Sequence, residues 1–177
     1  MRKLILILVF ALSACATKVT SLNSDADKAL TEDMGFLLIG VQTNQDLKSI
    51  LISGPQNIEL SSQDIKKGTN YILIDLEVGQ YTIDKLQLDN YWRLFLDDEE
   101  HWQFSVKSGQ INYVGHLEVV KHGFWNPITA VELVNRSSES LEFLESSFPT
   151  ILANRELIYG GPGQDRFFNF LKSQKKD

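Results

Sequence analysis

The chain has 177 residues, 43% hydrophobic and 23% charged, with 23 Asp+Glu, 17 Lys+Arg, three His and one Cys. That balance fits one globular domain with a core of its own and excludes a disordered or fibrous chain. The single Cys excludes an internal disulfide framework, a cysteine-only zinc site and a CxxC redox pair. A formal charge of −6 argues against non-specific nucleic-acid binding.

Arg2 and Lys3 open the chain, and residues 4–12 form an unbroken apolar run that exits through Ser13 and Ala14 to Cys15. As a helix such a run rises about 14 Å, roughly half the hydrocarbon thickness, so it predicts an export signal over 1–14 and not a membrane span. Leu12-Ser13-Ala14-Cys15 resembles the bacterial lipobox. The resemblance implies a diacylglycerol on the Cys15 thiol, removal of residues 1–14 and fatty acyl chains such as palmitate on the new amino terminus. Two or three such chains hold a protein stably where one holds it marginally. Ala16 and Thr17, in place of an Asp after the Cys, imply the outer membrane and its periplasmic face, with the inner membrane and the cell surface as alternatives. Ala14-Cys15-Ala16 also fits a plain secretory cleavage site, which would leave an unpaired thiol at the tip. Loss of Arg2 and Lys3 leaves 15 basic residues against 23 acidic, a formal −8. So acidic a body does not lie flat on an anionic surface by charge, and the lipid does the holding.

Residues 15–34 read as the lipidated Cys and a polar tether. Within it, residues 24–30 suggest a short helix capped by Ser24. From 35 the texture turns to strands. Residues 36–41 are continuously apolar, as in a strand buried on both faces. Short strands follow over 49–53, 57–60 and 71–76. The segment 81–88 has an apolar parity that shifts near Asp84, the mark of a bulge. Trp92, Leu94 and Leu96 alternate, as do Trp102, Phe104 and Val106 beyond the acidic turn 97–100. In 111–120, Ile111, Tyr113, Leu117 and Val119 are assigned to one face, and a last strand covers 128–134. Such spacing predicts a mainly β chain, an antiparallel sandwich over 35–136.

The C-terminal extension, 137–177, reads as helical and packed on the sandwich. Ser138 is the expected cap of a helix with Leu141, Leu144 and Phe148 on one face. Pro149 ends that helix or starts the next. Residues 160–163, Gly-Gly-Pro-Gly, form a loop, and Asp165 is placed to cap a tail helix holding Phe167, Phe168 and Leu171.

Gly79-Gln80-Tyr81-Thr82-Ile83 and Gly109-Gln110-Ile111-Asn112-Tyr113-Val114-Gly115 share a loop Gly leading an aromatic into a strand. The pattern resembles a turn of transthyretin-like (prealbumin-like) sandwiches, carboxypeptidase regulatory domains and small envelope lipoproteins. The resemblance implies a transthyretin-like or Ig-like sandwich and a binding or assembly role. It supplies no catalytic residues.

The chemistry-bearing residues are sparse. His116 and Glu118 share a strand face about 7 Å apart, a half-site for a metal, but Asn112 and Val120 beside them make that face read as solvated. Asp97, Asp98, Glu99, Glu100 and His101, flanked by Trp92 and Trp102, lack the Gly turn and alternate spacing of a calcium loop. They read as a hairpin tip or as a contact surface for a basic partner. No Gly-x-Ser-x-Gly elbow and no phosphate loop is present in the sequence. Phe124-Trp125, before Asn126-Pro127, reads as a core plug at a strand end, with an exposed aromatic anchor as the alternative. The sequence therefore predicts a non-enzymatic, membrane-anchored binding or assembly module of the envelope. No cofactor, metal or nucleic acid is expected, and the expected partners are membrane lipid through Cys15 and an envelope protein. The alternative is a periplasmic hydrolase or metal enzyme built from His116, Glu118 and the 97–101 loop.

Overall fold

The computed structural model describes residues 16–97, 99–123 and 128–174. The signal region, Cys15, Asp98 and the 124–127 junction with its Phe124-Trp125 pair lie outside the described residues. In chain order the described elements are β1 (Thr17–Val19), β2 (Met34–Thr43), β3 (Ser49–Ser53), β4 (Ile58–Ser61), β5 (Gly68–Glu77), β6 (Gly79–Gln87) and β7 (Arg93–Phe95). Then come α1 (Glu99–Trp102), β8 (Gln103–Val106), β9 (Ile111–His122), β10 (Ile128–Val134), α2 (Ser137–Ser147), α3 (Pro149–Asn154), β11 (Leu157–Tyr159) and α4 (Phe167–Gln174).

Two sheets result. The front sheet runs β1-β4-β3-β6, and β7 and β8 share the far edge of β6. The back sheet runs β5-β2-β9, and β10 and β11 share the far edge of β9. Leu37, Ile39 and Val41 of β2 meet Ile50, Ile52, Ile83 and Leu86 of the front sheet in a core between the sheets. Phe36 and Leu38, one residue out of phase, face Leu144, Phe148, Ile151 and Phe168 from the three C-terminal helices. Residues 36–41 are thus apolar without alternation because both faces of β2 are covered, one by a sheet and the other by helices.

The chain is mainly β with a short helical C-terminus, as the sequence predicts, but the sheets are mixed and not antiparallel. β1 pairs with β4, β2 with β9 and β11 with β9 in parallel. Alternation of apolar residues reports which face is buried, not the direction of a strand's neighbour. A parallel pair needs a long crossover, and the β2–β9 crossover runs through β3 to β8, the front sheet without β1, together with β5.

The bulge expected near Asp84 is present. Leu51 opposes Lys85 and Ile52 opposes Ile83, so Asp84 is the extra residue, and its Oδ1 accepts a bond from Ser53 Oγ at 3.0 Å. A second bulge overturns the single-face reading of β9. Leu38 pairs with Tyr113 but Gly40 pairs with His116, so Val114 and Gly115 oppose the one residue Ile39. Ile111 and Tyr113 therefore face the helices while Leu117 and Val119 enter the inter-sheet core. Gly115, at φ +122°, makes the kink, in a conformation that other residues resist.

The stretch after Cys15 is not a tether but a strap. Thr17 N–H donates to Asn57 O at 2.9 Å, and β1 extends the front sheet. Leu22 N–H then donates to Leu73 O at 2.8 Å, and Leu73 N–H to Ser21 Oγ at 3.0 Å, along the edge of β5. The helix expected over 24–30 does not form. Asp25 instead accepts the Thr150 and Ile151 amides at 2.6 and 3.0 Å, capping α3, and Asp27 pairs with Arg155 at 2.6 Å. Leu22 and Leu30 pack on the helix-side core, two apolar contacts too few to give the strap a readable period.

At the other end Pro149 opens α3, and the Asp165 carboxylate accepts the Phe167 N–H at 2.7 Å at the start of α4, both as expected. Ser138 does not cap α2. The cap position is Arg136, and the Ser137 N–H goes to Asn135 Oδ1 at 3.0 Å.

Candidate functional site

Among the described residues, exposed large apolar side chains cluster around the β6–β7 hairpin, with Phe170 of α4 and Val78 exposed elsewhere. Leu94 of β7 packs toward the core, so its neighbours Arg93 and Phe95 face outward, and Phe95 is 58% exposed. In the turn before β7, Tyr91 is 83% and Trp92 39% exposed. The turn is built rather than loose. Asp89 Oδ1 accepts the Tyr91 and Trp92 amides at 2.8 and 2.9 Å, and Trp92 O accepts the Leu88 N–H at 3.0 Å. Asp89 Oδ2 meets Lys121 Nζ of β9 at 2.5 Å, tying the turn to the back sheet. Partial burial pushes the Asp89 carboxyl up, but the Lys121 bond and the two amides outweigh it and hold it below the usual range. The aromatics are therefore presented on a fixed frame at the edge of a sheet, where exposed apolar area marks contact surface.

Below this turn the edge strand is interrupted. β7 pairs with the upper half of β6 and β8 with the lower half, and residues 96–102 loop out between them. Asp97 and Glu100 of this loop are exposed, Asp98 lies outside the described residues, and so does the side chain of Glu99. Trp102 ends the helical turn α1, not a strand, and packs half-buried against the inter-sheet core. His101, exposed, and Trp102 line a groove of about 390 Å³ with Val131, Leu133 and Val134 of β10 and Pro162. Thus the structure joins His101 and Trp102 in one groove, while Trp92 belongs to the separate aromatic turn. Tyr91 and Phe95, which sequence reasoning passed over, are more exposed than either Trp; the signal available was Phe95 out of phase with Leu94.

The face of His116 and Glu118 is not solvated. His116 and Asn112 are both fully buried. His116 lies on the side of the back sheet that the C-terminal helices cover, whereas Asn112, between Ile111 and Tyr113 in the strand, points to the other side, against the backbone at Gly35. Tyr113 Oη shares a hydrogen bond with His116 Nδ1 at 2.7 Å and accepts the Arg136 N–H at 2.9 Å, fastening β9 to the start of α2. The other ring nitrogen, His116 Nε2, is a buried atom with no hydrogen-bond partner among the described residues. Burial pushes the His116 pKa down to about 4, so the ring is neutral at pH 7, and burial likewise raises the Tyr113 phenol. The ring lies on Gly40, where an added Cβ would come within 2.3 Å of it, and edge-on to Tyr71, centroids 5.1 Å apart. That is the reason for a glycine inside an otherwise apolar strand. Glu118 pairs with Arg136, which also reaches Glu139 at 3.4 Å. Asn112 spans the 107–110 turn, accepting the Lys107 N–H at 2.9 Å and donating to Phe36 O at 3.0 Å.

Among the described residues no group of three or more His, Cys, Asp or Glu is placed to hold a metal ion. Nor is any described helix long and apolar enough to cross a membrane. The lipid-attachment candidate Cys15 lies outside the described residues. Compared with known proteins, the chain matches no family model, no curated sequence and no solved structure.

Proposed function

We propose that this chain is a lipid-anchored envelope protein, held through acylated Cys15 at the periplasmic face of the outer membrane, that acts as a non-enzymatic binding or assembly module. The observation that carries the binding role is the rigid turn presenting Tyr91 and Trp92 beside Phe95. Aromatic side chains bring large contact area at low entropic cost, and covering one is worth about 1.5–3 kcal/mol. Exposed Asp97 and Glu100, in the loop that follows β7, favour a partner whose facing surface is basic. His116 engaged by Tyr113, and Glu118 engaged by Arg136, favour this reading over a hydrolase built on those residues. The sandwich itself is read as transthyretin-like or Ig-like. The Tyr81 hydroxyl supports that reading: it donates to Glu77 O at 2.9 Å where the chain crosses from the back sheet to the front, as a tyrosine corner does.

In-cell crosslinking followed by mass spectrometry tests the role, comparing the native chain with the triple variant Tyr91→Ala, Trp92→Ala, Phe95→Ala. A discrete protein partner captured by the native chain and lost in the variant supports the assignment. Recovery of the monomer alone across growth conditions refutes it.

A further inference from the structure

The strap changes what a lipid on Cys15 does. Only Ala16 separates Cys15 in the sequence from Thr17, whose N–H is bonded to Asn57 O, so a lipid on Cys15 is joined to the end of the front sheet by a link of two residues, at most about 7 Å of backbone. β1 runs parallel to β4 and away from this end, and Ser21, Leu22, Asp25 and Asp27 hold the following residues to the body. No slack remains for a swinging domain.

The same end is formed by four turns that touch one another. Val78 N–H donates to Asp33 O at 2.7 Å, and Gly109 N–H to Met34 O at 2.9 Å. Pro55 lies where a Cβ on Gly79 would meet it, at 2.5 Å. The turns 31–34, 54–57, 77–80 and 107–110 thus make one face. The aromatic turn is at the opposite end. β6 leaves this face at Gly79 and delivers Gln87 to Arg93 beside Trp92, and its nine residues span about 27 Å.

We propose that the face made by these four turns lies against the headgroups of the bilayer, and that Tyr91 and Trp92 are held at the far pole, facing the aqueous space. The inference rests on the lipoprotein reading and adds the orientation of the body. Exposed Pro55 and Val78 meet the interface, while exposed Glu32, Asp33 and Glu77 keep the face from sinking into an anionic surface. The partner site then stands at a set height above the membrane.

The test uses the full lipidated chain in phosphatidylethanolamine and phosphatidylglycerol vesicles carrying a headgroup-attached nitroxide quencher. Cys15 is the only cysteine and is blocked by its lipid, so a fluorophore can be placed by Val78→Cys, Lys107→Cys, Lys67→Cys or Tyr91→Cys, one at a time. Labels at 78 and 107 should be quenched several-fold more strongly than labels at 67 and 91. A twelve-residue Gly-Ser insert between Ala16 and Thr17 leaves β1 in place but adds a reach of about 19 Å, and should erase the contrast. Equal quenching at both ends of a vesicle-bound chain overturns the orientation and spares the anchor. A chain that carries no lipid and stays in solution overturns both.

Discussion

Acid should weaken this fold before its carboxylates titrate, through His116. The ring is neutral in the folded protein with its pKa near 4, against 6.5 for a free histidine. Between those values the unfolded chain takes up a proton that the folded chain refuses, so stability falls as pH falls. The difference corresponds to about 3 kcal/mol in total, of which about 2 kcal/mol is gone by pH 5. Protonation also puts a hydrogen on both ring nitrogens, so Tyr113 Oη can only accept from Nδ1, and Nε2 carries a buried N–H with no partner among the described residues. Arg136 opposes the new charge, while Glu139 and Glu118 relieve it in part. Urea denaturation at pH 7, 6 and 5 measures the effect against His116→Phe, which keeps a ring on Gly40 and cannot titrate. The variant should start about 1–2 kcal/mol less stable at pH 7, for the lost hydrogen bond, and converge on the native chain by pH 5. The depressed Asp89 and Asp165 carboxyls lose their stabilisation as pH falls further, and do so equally in both proteins. Parallel pH curves for the two would refute a buried neutral His116.

Gly40→Ala should cost at least about 2 kcal/mol in the same assay, since the new methyl displaces the His116 ring in a packed layer; an unchanged midpoint would mean the ring sits elsewhere. Tyr81→Phe removes only the corner bond to Glu77 O and should cost about 1 kcal/mol with the circular dichroism spectrum preserved, a loss near zero ruling out the corner. The Tyr91, Trp92 and Phe95 triple alanine variant should lose no more than about 1.5 kcal/mol, about 0.5 kcal/mol for each exposed side chain, yet lose its crosslinked partner. Large destabilisation would place these aromatics in the core and remove the binding argument.

Features set by near neighbours were legible in the sequence. The unalternating run in β2 announced burial on both faces, the parity slip at Asp84 announced its bulge, and Pro149 and Asp165 marked helix starts. Features set by distant partners were not. The β9 bulge leaves only Gly115 as its trace, and without it Ile111 and Val119 look like members of one face. His116 looked solvated because its neighbours Asn112 and Glu118 are polar. Their real partners, the 107–110 turn and Arg136, come from other elements. The strap is held by hydrogen bonds and isolated ion pairs, which leave no periodicity. At the candidate site, the acidic loop with Trp92 and Trp102 was picked out, but the fixed turn that exposes Tyr91 depends on Asp89 being held by Lys121, 32 residues further on.

The central claim is tested most directly by the mass of the amino-terminal peptide of the protein extracted from membranes. A lipid-anchored chain should begin at Cys15 and carry a diacylglycerol on its thiol with a further acyl chain on its amine. A chain that begins at Ala16, or one that begins at Cys15 with a free thiol, would contradict the claim.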